Sequence, residues 1–291
     1  MPKCPICETK VSKHIETYKS DFNNQEYKLY HCPNCDLQWW EPLKMIPEFY
    51  ENEGLDGYRV MHNINIALNS KHFAIKSFLN FLKQESINKT KIRILDIGCG
   101  NGVFLKNLIY YWPNKDIEIE IWGIDLDKKS IAVAQKIVPN GNFKVITLEK
   151  FKNSKEIGKF DIITFFEVLE HQDNPKEFLE SIYELLENNG FIFGSVPNRE
   201  RLLVSLDRKF YSKNEDFPPN HFLYFNRKSL SILLKKVGFR DIKFYNNDFD
   251  LMDIGHYIAF CLSFGILEKL KTKKYMKNYN KIVIQILLFL I

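Results

Sequence analysis

The sequence of 291 residues has no apolar run long enough to cross a bilayer. Its two most apolar stretches are residues 254–267 (IGHYIAFCLSFGIL) and 282–291 (IVIQILLFLI). Both fall short of the roughly 20 residues that a spanning helix needs. No apolar segment follows Met1-Pro2-Lys3 of the kind that directs secretion, so a reducing, cytoplasmic compartment is expected. Charge of one sign is barely in excess: 41 basic against 36 acidic groups, a net charge of +5, too little to argue for a nucleic-acid partner. The Gly-Lys-Ser/Thr ending of a P-loop is missing. Disorder is not lacking a counterweight either: 45% hydrophobic and 26% charged residues are enough for a sizeable core.

Cysteine is sparse but organised. Four of the six cysteines form two CxxC pairs, Cys4-Pro-Ile-Cys7 and Cys32-Pro-Asn-Cys35. In a reducing compartment such pairs are more often metal sites than disulfides. Each pair makes a tight turn aiming two thiolates at one ion, and the chain between them brings the second turn opposite the first. A structural Zn2+ held by Cys4, Cys7, Cys32 and Cys35 is the expectation, with Tyr27–Tyr30 as a strand leading into the second turn. A thioredoxin-like redox motif needs one pair on a βα unit, not two pairs within 35 residues. Residues 1–45 carry six basic and six acidic groups, so the ribbon offers no basic face to phosphate.

Four regions follow: a zinc ribbon at 1–45, a helical connector or lid at 46–90, an α/β domain at 91–245 and an apolar, basic tail at 246–291. Apolar residues between Ile64 and Leu82 approximate one amphipathic helix over 63–84. From Lys91 onward short apolar strands alternate with helices. Strands are expected at 92–97, 117–124, 143–147, 160–166, 191–196 and 240–245. Helices are expected at 103–111, 129–138, 175–187 (stopped by Gly190) and 229–237 (closed by Gly238). Near-continuous apolar strands in such a succession imply a parallel, Rossmann-like sheet covered on both faces. The tail's six lysines all lie between Lys269 and Lys281, between its two apolar stretches. That suits a helical, interfacial contact with the inner membrane face. A substrate-covering lid or a dimer contact is the alternative.

The chemistry centres on Leu95-Asp96-Ile97-Gly98-Cys99-Gly100-Asn101-Gly102, between a strand and a helix. A dinucleotide fingerprint would want Gly or Ala at Val103. A carboxylate such as Asp96 beside the loop is poor company for a pyrophosphate, but suits a cofactor with a cationic amino-acid end, such as S-adenosyl-L-methionine (SAM). Asp125, ending the second strand, can accept two ribose hydroxyls. Glu149, after the third, can face an adenine edge. Cys99 fits as a small residue of the loop, and Cys261 as packing.

These motifs resemble the class I SAM-dependent methyltransferases over Ile94–Phe244. DIGCGNG matches the family's first motif, and Gly123-Ile-Asp-Leu-Asp127 the second. Phe160–His171 (FDIITFFEVLEH) matches the fourth-strand region and Gly190–Asn198 the fifth. With VLEH, SVPN and His221-Phe-Leu-Tyr-Phe225, the chain is similar to bacterial small-molecule enzymes that methylate quinone precursors, sugars or surface polysaccharides. The resemblance implies SAM contacts at Asp96, Gly98, Cys99, Gly100, Asp125, Leu126, Glu149, Phe166 and Glu167. It implies a general base at His171 or His221. Sugar C-methyltransferases have Glu-His where this chain reads Asn220-His221, so O-methyl transfer to a small-molecule, glycan or lipid-linked acceptor is expected. The alternatives are an RNA or protein methyltransferase gripping its substrate with the ribbon, or a non-catalytic SAM-binding module. The neutral ribbon and the absence of an Asn-Pro-Pro-Tyr loop at Phe165–Val168 argue against a nucleic-acid partner.

Overall fold

The computed structural model describes residues 1–46, 49, 61–85, 89–114, 116–154, 157–200 and 216–245. Residues 1–243 form one compact unit. Residues 244–291 form a second, of which only Phe244 and Tyr245 are described, so the tail lies outside the described residues. Among the described residues no helix is long and apolar enough to cross a membrane.

The described residues of the first unit form two sheets. One is parallel, with strands β4 (Lys91–Ile97), β5 (Glu118–Asp125), β6 (Asn142–Val145), β7 (Phe160–Phe166) and β8 (Leu186–Ser195) in the order β6-β5-β4-β7-β8. β4 (KIRILDI) and β7 (FDIITFF) are almost wholly buried, as expected of central strands covered on both faces. After β6 the chain crosses to the far side of β4. The strand order therefore reverses between β4 and β7, and a ligand crevice belongs at the carboxyl ends of those two strands.

Among the described residues the helices are α1 (Ile64–Asn69), α2 (Ile75–Gln84), α3 (Val103–Tyr111), α4 (Lys128–Ile137), α5 (Leu148–Lys152), α6 (Pro175–Leu185) and α7 (Arg227–Val237), with a 3-10 turn at Leu169–His171. Local signals set many of their ends. Asp127 accepts from the Lys129 N–H to start α4. Asn174 caps α6 ahead of Pro175, whose missing N–H costs nothing there. Asn226 and Ser229 form a capping box on α7, and Gly238 closes it with φ 114°.

Three expectations fail locally. The single helix over 63–84 is two helices, α1 and α2. Lys106 Nζ takes the carbonyls of Ala67, Leu68 and Ser70 (2.9, 2.7 and 3.1 Å), and Asn107 also bonds Ser70 O. Those carbonyls are thus satisfied without continuing the helix. Gly190 does not stop α6: the helix ends at Leu185, and Gly190 lies inside β8 near a break in its register with β7. The run 240–245 is not a strand, because Asp241 takes φ 52° and interrupts the extended backbone.

The other sheet is antiparallel: β1 (His14–Lys19), β2 (Glu26–His31), β3 (Gln38–Glu41) and β9 (Leu223–Tyr224), in that order. Its first three strands are the ribbon and its fourth comes from the far end of the α/β unit. Trp39 and Trp40 are fully buried in β3. One continuous apolar cluster runs from Leu29 and Trp40 of the ribbon through Phe222 to Leu95 and Ile163 of the parallel sheet.

Candidate functional site

The glycine-rich loop stands at the carboxyl end of β4. Gly98, Gly100 and Gly102 all have positive φ (70°, 50° and 76°). A Cβ on Gly98 would lie 2.5 Å from Val168 Cγ2, so the backbone there tolerates no side chain. The N–H groups of Gly98 and Cys99 bond Ile124 O, and the Gly100 N–H donates to Asp125 Oδ2 at 2.8 Å. Asp125 Oδ1 accepts from the Asp127 N–H at 2.8 Å. Asp125 is thus a brace for the loop, with lone pairs left over on both oxygens. Cys99 is buried against Gly123, and its Sγ lies 2.8 Å from where a Cβ on that glycine would sit.

Asp96 is buried behind the loop and accepts a 2.7 Å hydrogen bond from Thr164 Oγ1. Burial, partly offset by Thr164 and reinforced by the charge of Asp125, pushes its carboxyl up to about 7. Burial raises Asp125 too, against the backbone hydrogen bonds it accepts. A buried and a part-buried acid, neither of them shifted by a neighbouring cation, are costly to ionise, and a positively charged ligand end would relieve them. That donor set fits the amino-acid end of SAM.

A strap covers the loop. The Met61 carbonyl accepts from Asn101 Nδ2 at 3.0 Å, and a Cβ on Gly100 would meet Met61 Cε at 2.7 Å. His62 Nε2 pairs with Asp127 Oδ2 at 2.5 Å. Against the upward pull of burial, hydrogen bonds from His62 and Ser130 hold Asp127 below the usual carboxylate range. The remaining sequence candidates are dispersed. Leu126 is exposed after β5, and Glu149 is exposed in the first turn of α5. Phe166 ends β7 among His72, Phe104 and Phe193. Glu167 (φ 55°) accepts from Ser195 Oγ at 2.6 Å.

The two histidines do come together, with ring centroids 5.0 Å apart. His171 Nδ1 donates to the Asn220 carbonyl at 2.5 Å. His221 Nδ1 faces Asp216 Oδ1 at 3.4 Å. Both Nε2 atoms turn toward Glu170 Oε1, at 3.8 and 3.9 Å. Glu170 is fully buried, and neither of its oxygens has a hydrogen-bond partner among the described residues. Burial and then the nearby Glu167 push its carboxyl well above the usual range. Burial and then His221 hold His171 down at about 3. Glu170, Asp216 and His62 were not singled out from sequence. For Glu170 the signal was its place beside His171 in VLEH.

The four ribbon cysteines are free thiols. Sγ of Cys4 lies 3.3 Å from that of Cys35, Sγ of Cys7 lies 3.3 Å from that of Cys32, and all four fall within 4.8 Å of one another. Tetrahedral zinc with bonds of about 2.3 Å has sulfur–sulfur edges of about 3.8 Å, so the cluster fits that ion.

Residues 68–243 match the family model described as a methyltransferase domain. The chain is 32% identical over 133 residues to a ubiquinone biosynthesis O-methyltransferase of Pasteurella multocida, covering 42% of this chain and 52% of that one. It is 28% identical over 200 residues to the mitochondrial ubiquinone biosynthesis O-methyltransferase of Dictyostelium discoideum, covering 62% and 52%. The chain spans about half the length of these curated relatives. Its fold is similar to that of a magnesium protoporphyrin IX methyltransferase from Synechocystis PCC 6803, solved with bound S-adenosylhomocysteine (TM-score 0.51, 16% identity, 70% of this chain and 92% of that one).

Proposed function

The chain belongs to the methyltransferase-domain family, and from that premise we propose that it transfers a methyl group from SAM to a hydroxyl oxygen of a small molecule. One observation carries the reading. The buried Asp96 and the part-buried Asp125 flank a side-chain-free glycine loop at the switch point of the sheet. Bound there, SAM would supply a sulfonium methyl for transfer and leave as S-adenosylhomocysteine. Asp96 answers the cationic amino-acid end, and the spare lone pairs of Asp125 take ribose hydroxyls. Met61 bonds the loop at Asn101, and His62 bonds Asp127 beside it.

The acceptor hydroxyl faces the histidine pair. The proton of that hydroxyl would pass to Nε2 of His221, whose Nδ1 side is oriented by Asp216. His171, held near 3, is a neutral ring and a poor proton acceptor at neutral pH. Its part is to fix the Asn220 carbonyl and hence the His221 loop. Similarity to relatives named ubiquinone biosynthesis O-methyltransferases supports oxygen as the acceptor atom. A glycan or lipid-linked acceptor, and contact of the tail with anionic lipid, are the finer forms of the proposal.

A second reading of the same residues rests on Glu170. Its two buried oxygens, without a hydrogen-bond partner among the described residues, and the Nε2 atoms of both histidines form a donor set for a divalent cation. Such a cation would acidify a bound acceptor hydroxyl in place of base catalysis by His221.

The deciding experiment follows isotopic methyl from SAM into cell extract, fractionated into small molecules, glycan, lipid, RNA and protein. Label in a small-molecule, glycan or lipid fraction, lost in His221→Ala while SAM affinity persists, is the expected result. Label confined to RNA or protein would sink the proposal. Loss of transfer in a chelator that leaves the ribbon metal in place would favour the second reading.

A further inference from the structure

We infer that the N-terminal metal ribbon is a positioning part of the candidate active site: through β3 and Asp36, the Cys4–Cys7–Cys32–Cys35 cluster holds the segment 216–226 that carries His221. The inference rests on the proposed roles of His221 and of the cysteine cluster.

The contacts are specific. Two residues after His221 the chain enters β9, whose Leu223 and Tyr224 pair with Trp39 and Gln38 of β3. The Phe222 peptide is held from both sides: its N–H donates to the Glu170 carbonyl at 3.1 Å, and its carbonyl accepts from the Trp40 N–H at 3.0 Å. Tyr18 and Trp40 of the ribbon pack on Phe217 with centroids 4.8 and 5.6 Å away. Phe217 adjoins Asp216, the carboxylate facing His221. The segment therefore rests on the ribbon both before and after its histidine.

Asp36 joins that segment to the metal cluster. It follows Cys35 directly and completes the second cysteine turn with φ 66°, which a non-glycine residue adopts only when its surroundings enforce it. Its carboxylate bonds Asn226 Nδ2 at 2.7 Å and Arg199 at 3.0 Å, and its carbonyl accepts from Arg199 at 2.5 Å. Asn226 caps α7, and the Arg199 N–H bonds the Phe225 carbonyl at 2.7 Å. The first cysteine turn is tied to α7 as well, by Lys236 Nζ on the Ile6 carbonyl at 3.1 Å. By contrast, among the described residues the hydrogen bonds that Gly98, Cys99, Gly100 and Asn101 make to other elements run to Ile124, Asp125 and Met61, and none to a ribbon residue. Losing the metal relaxes the cysteine turns, withdraws Asp36 and loosens 216–226, while the cofactor loop stays in place.

The test compares the full chain in three forms: zinc-loaded, zinc-stripped under reductant, and zinc-loaded Asp36→Ala. Three readouts need no acceptor: hydrogen exchange, the His221 ring resonance, and calorimetry with S-adenosylhomocysteine. In the stripped and Asp36→Ala forms, exchange across 216–226 is expected to rise about tenfold or more, a local opening. The His221 resonance should shift, while exchange across 160–166 and S-adenosylhomocysteine affinity stay as in the loaded wild type. Zinc-loaded Asp36→Ala with wild-type exchange and an unshifted His221 resonance would overturn the inference. So would stripping that speeds exchange equally across 160–166, since the ribbon would then only support overall stability. Failure of the loaded wild type to bind S-adenosylhomocysteine would count against the methyltransferase reading instead, and leaves the exchange comparison intact.

Discussion

The carboxylate of Asp125 accepts the Gly100 N–H at 2.8 Å, and one acid thereby both ends β5 and shapes the loop after β4. Asp125→Ala removes the brace and the proposed partner for the ribose together. A hydrogen bond to a charged group is worth about 1.5–3 kcal/mol. S-adenosylhomocysteine affinity should therefore fall about ten- to a hundredfold by calorimetry. Unchanged affinity would mean that this crevice is not the cofactor site.

Gly98→Ala probes the loop without touching a charge. The new methyl meets Val168 Cγ2 at 2.5 Å and sits on a backbone with φ 70°. Left-handed strain of about 1 kcal/mol adds to the clash. The variant should melt several degrees lower and bind S-adenosylhomocysteine poorly. Pairing it with Val168→Ala should recover the part due to the clash and leave the backbone part. A double variant no better than the single one would show that Val168 is not the obstacle.

What the sequence made legible was local chemistry and periodicity. β7 reads as buried because Thr164 alone interrupts its apolar run from Ile162 to Phe166, whereas β4 alternates over Lys91–Ile94 and is covered on both faces only from Ile94 onward. The cysteine pairs and the glycine loop announce themselves by spacing. What was not legible depends on partners far along the chain. Asp36 and Asn226 are 190 residues apart, and no pattern near either predicts their bond. Glu170 looks like an ordinary strand-end acid until the fold buries it between two histidines. The break between α1 and α2 is made by Lys106 and Asn107 of α3, not by a proline or glycine within the run.

Lys106→Met tests that break. The methionine keeps the aliphatic stem and removes the donor to three carbonyls. A cation at a helix C-terminus is worth about 0.3–1 kcal/mol, and the lost hydrogen bonds add to it. Faster hydrogen exchange in α1, with α6 unchanged, is the expected pattern. Uniform exchange across both helices would deny Lys106 the capping role.

Asp96 gives a dependence on pH whose sign can be worked out. Burial raises its folded-state value from 3.8 to about 7. Between those values the folded protein keeps a proton that the unfolded chain has released. Stability from this group is therefore greatest on the acid side and falls as pH climbs from about 4 to about 7. At about 1.4 kcal/mol per unit the effect is on the order of a few kcal/mol. Asp96→Asn mimics the protonated form, so denaturant unfolding should find it gaining on the wild type as pH rises from about 5 to 8. Binding of S-adenosylhomocysteine should reverse the sense for the wild type. The ligand's ammonium stabilises the ionised carboxylate, so binding below pH about 7 should release a proton. Calorimetry in buffers of different ionisation enthalpy counts that proton. Its absence in the wild type, or its persistence in Asp96→Asn, would remove Asp96 from contact with the cationic end of the cofactor.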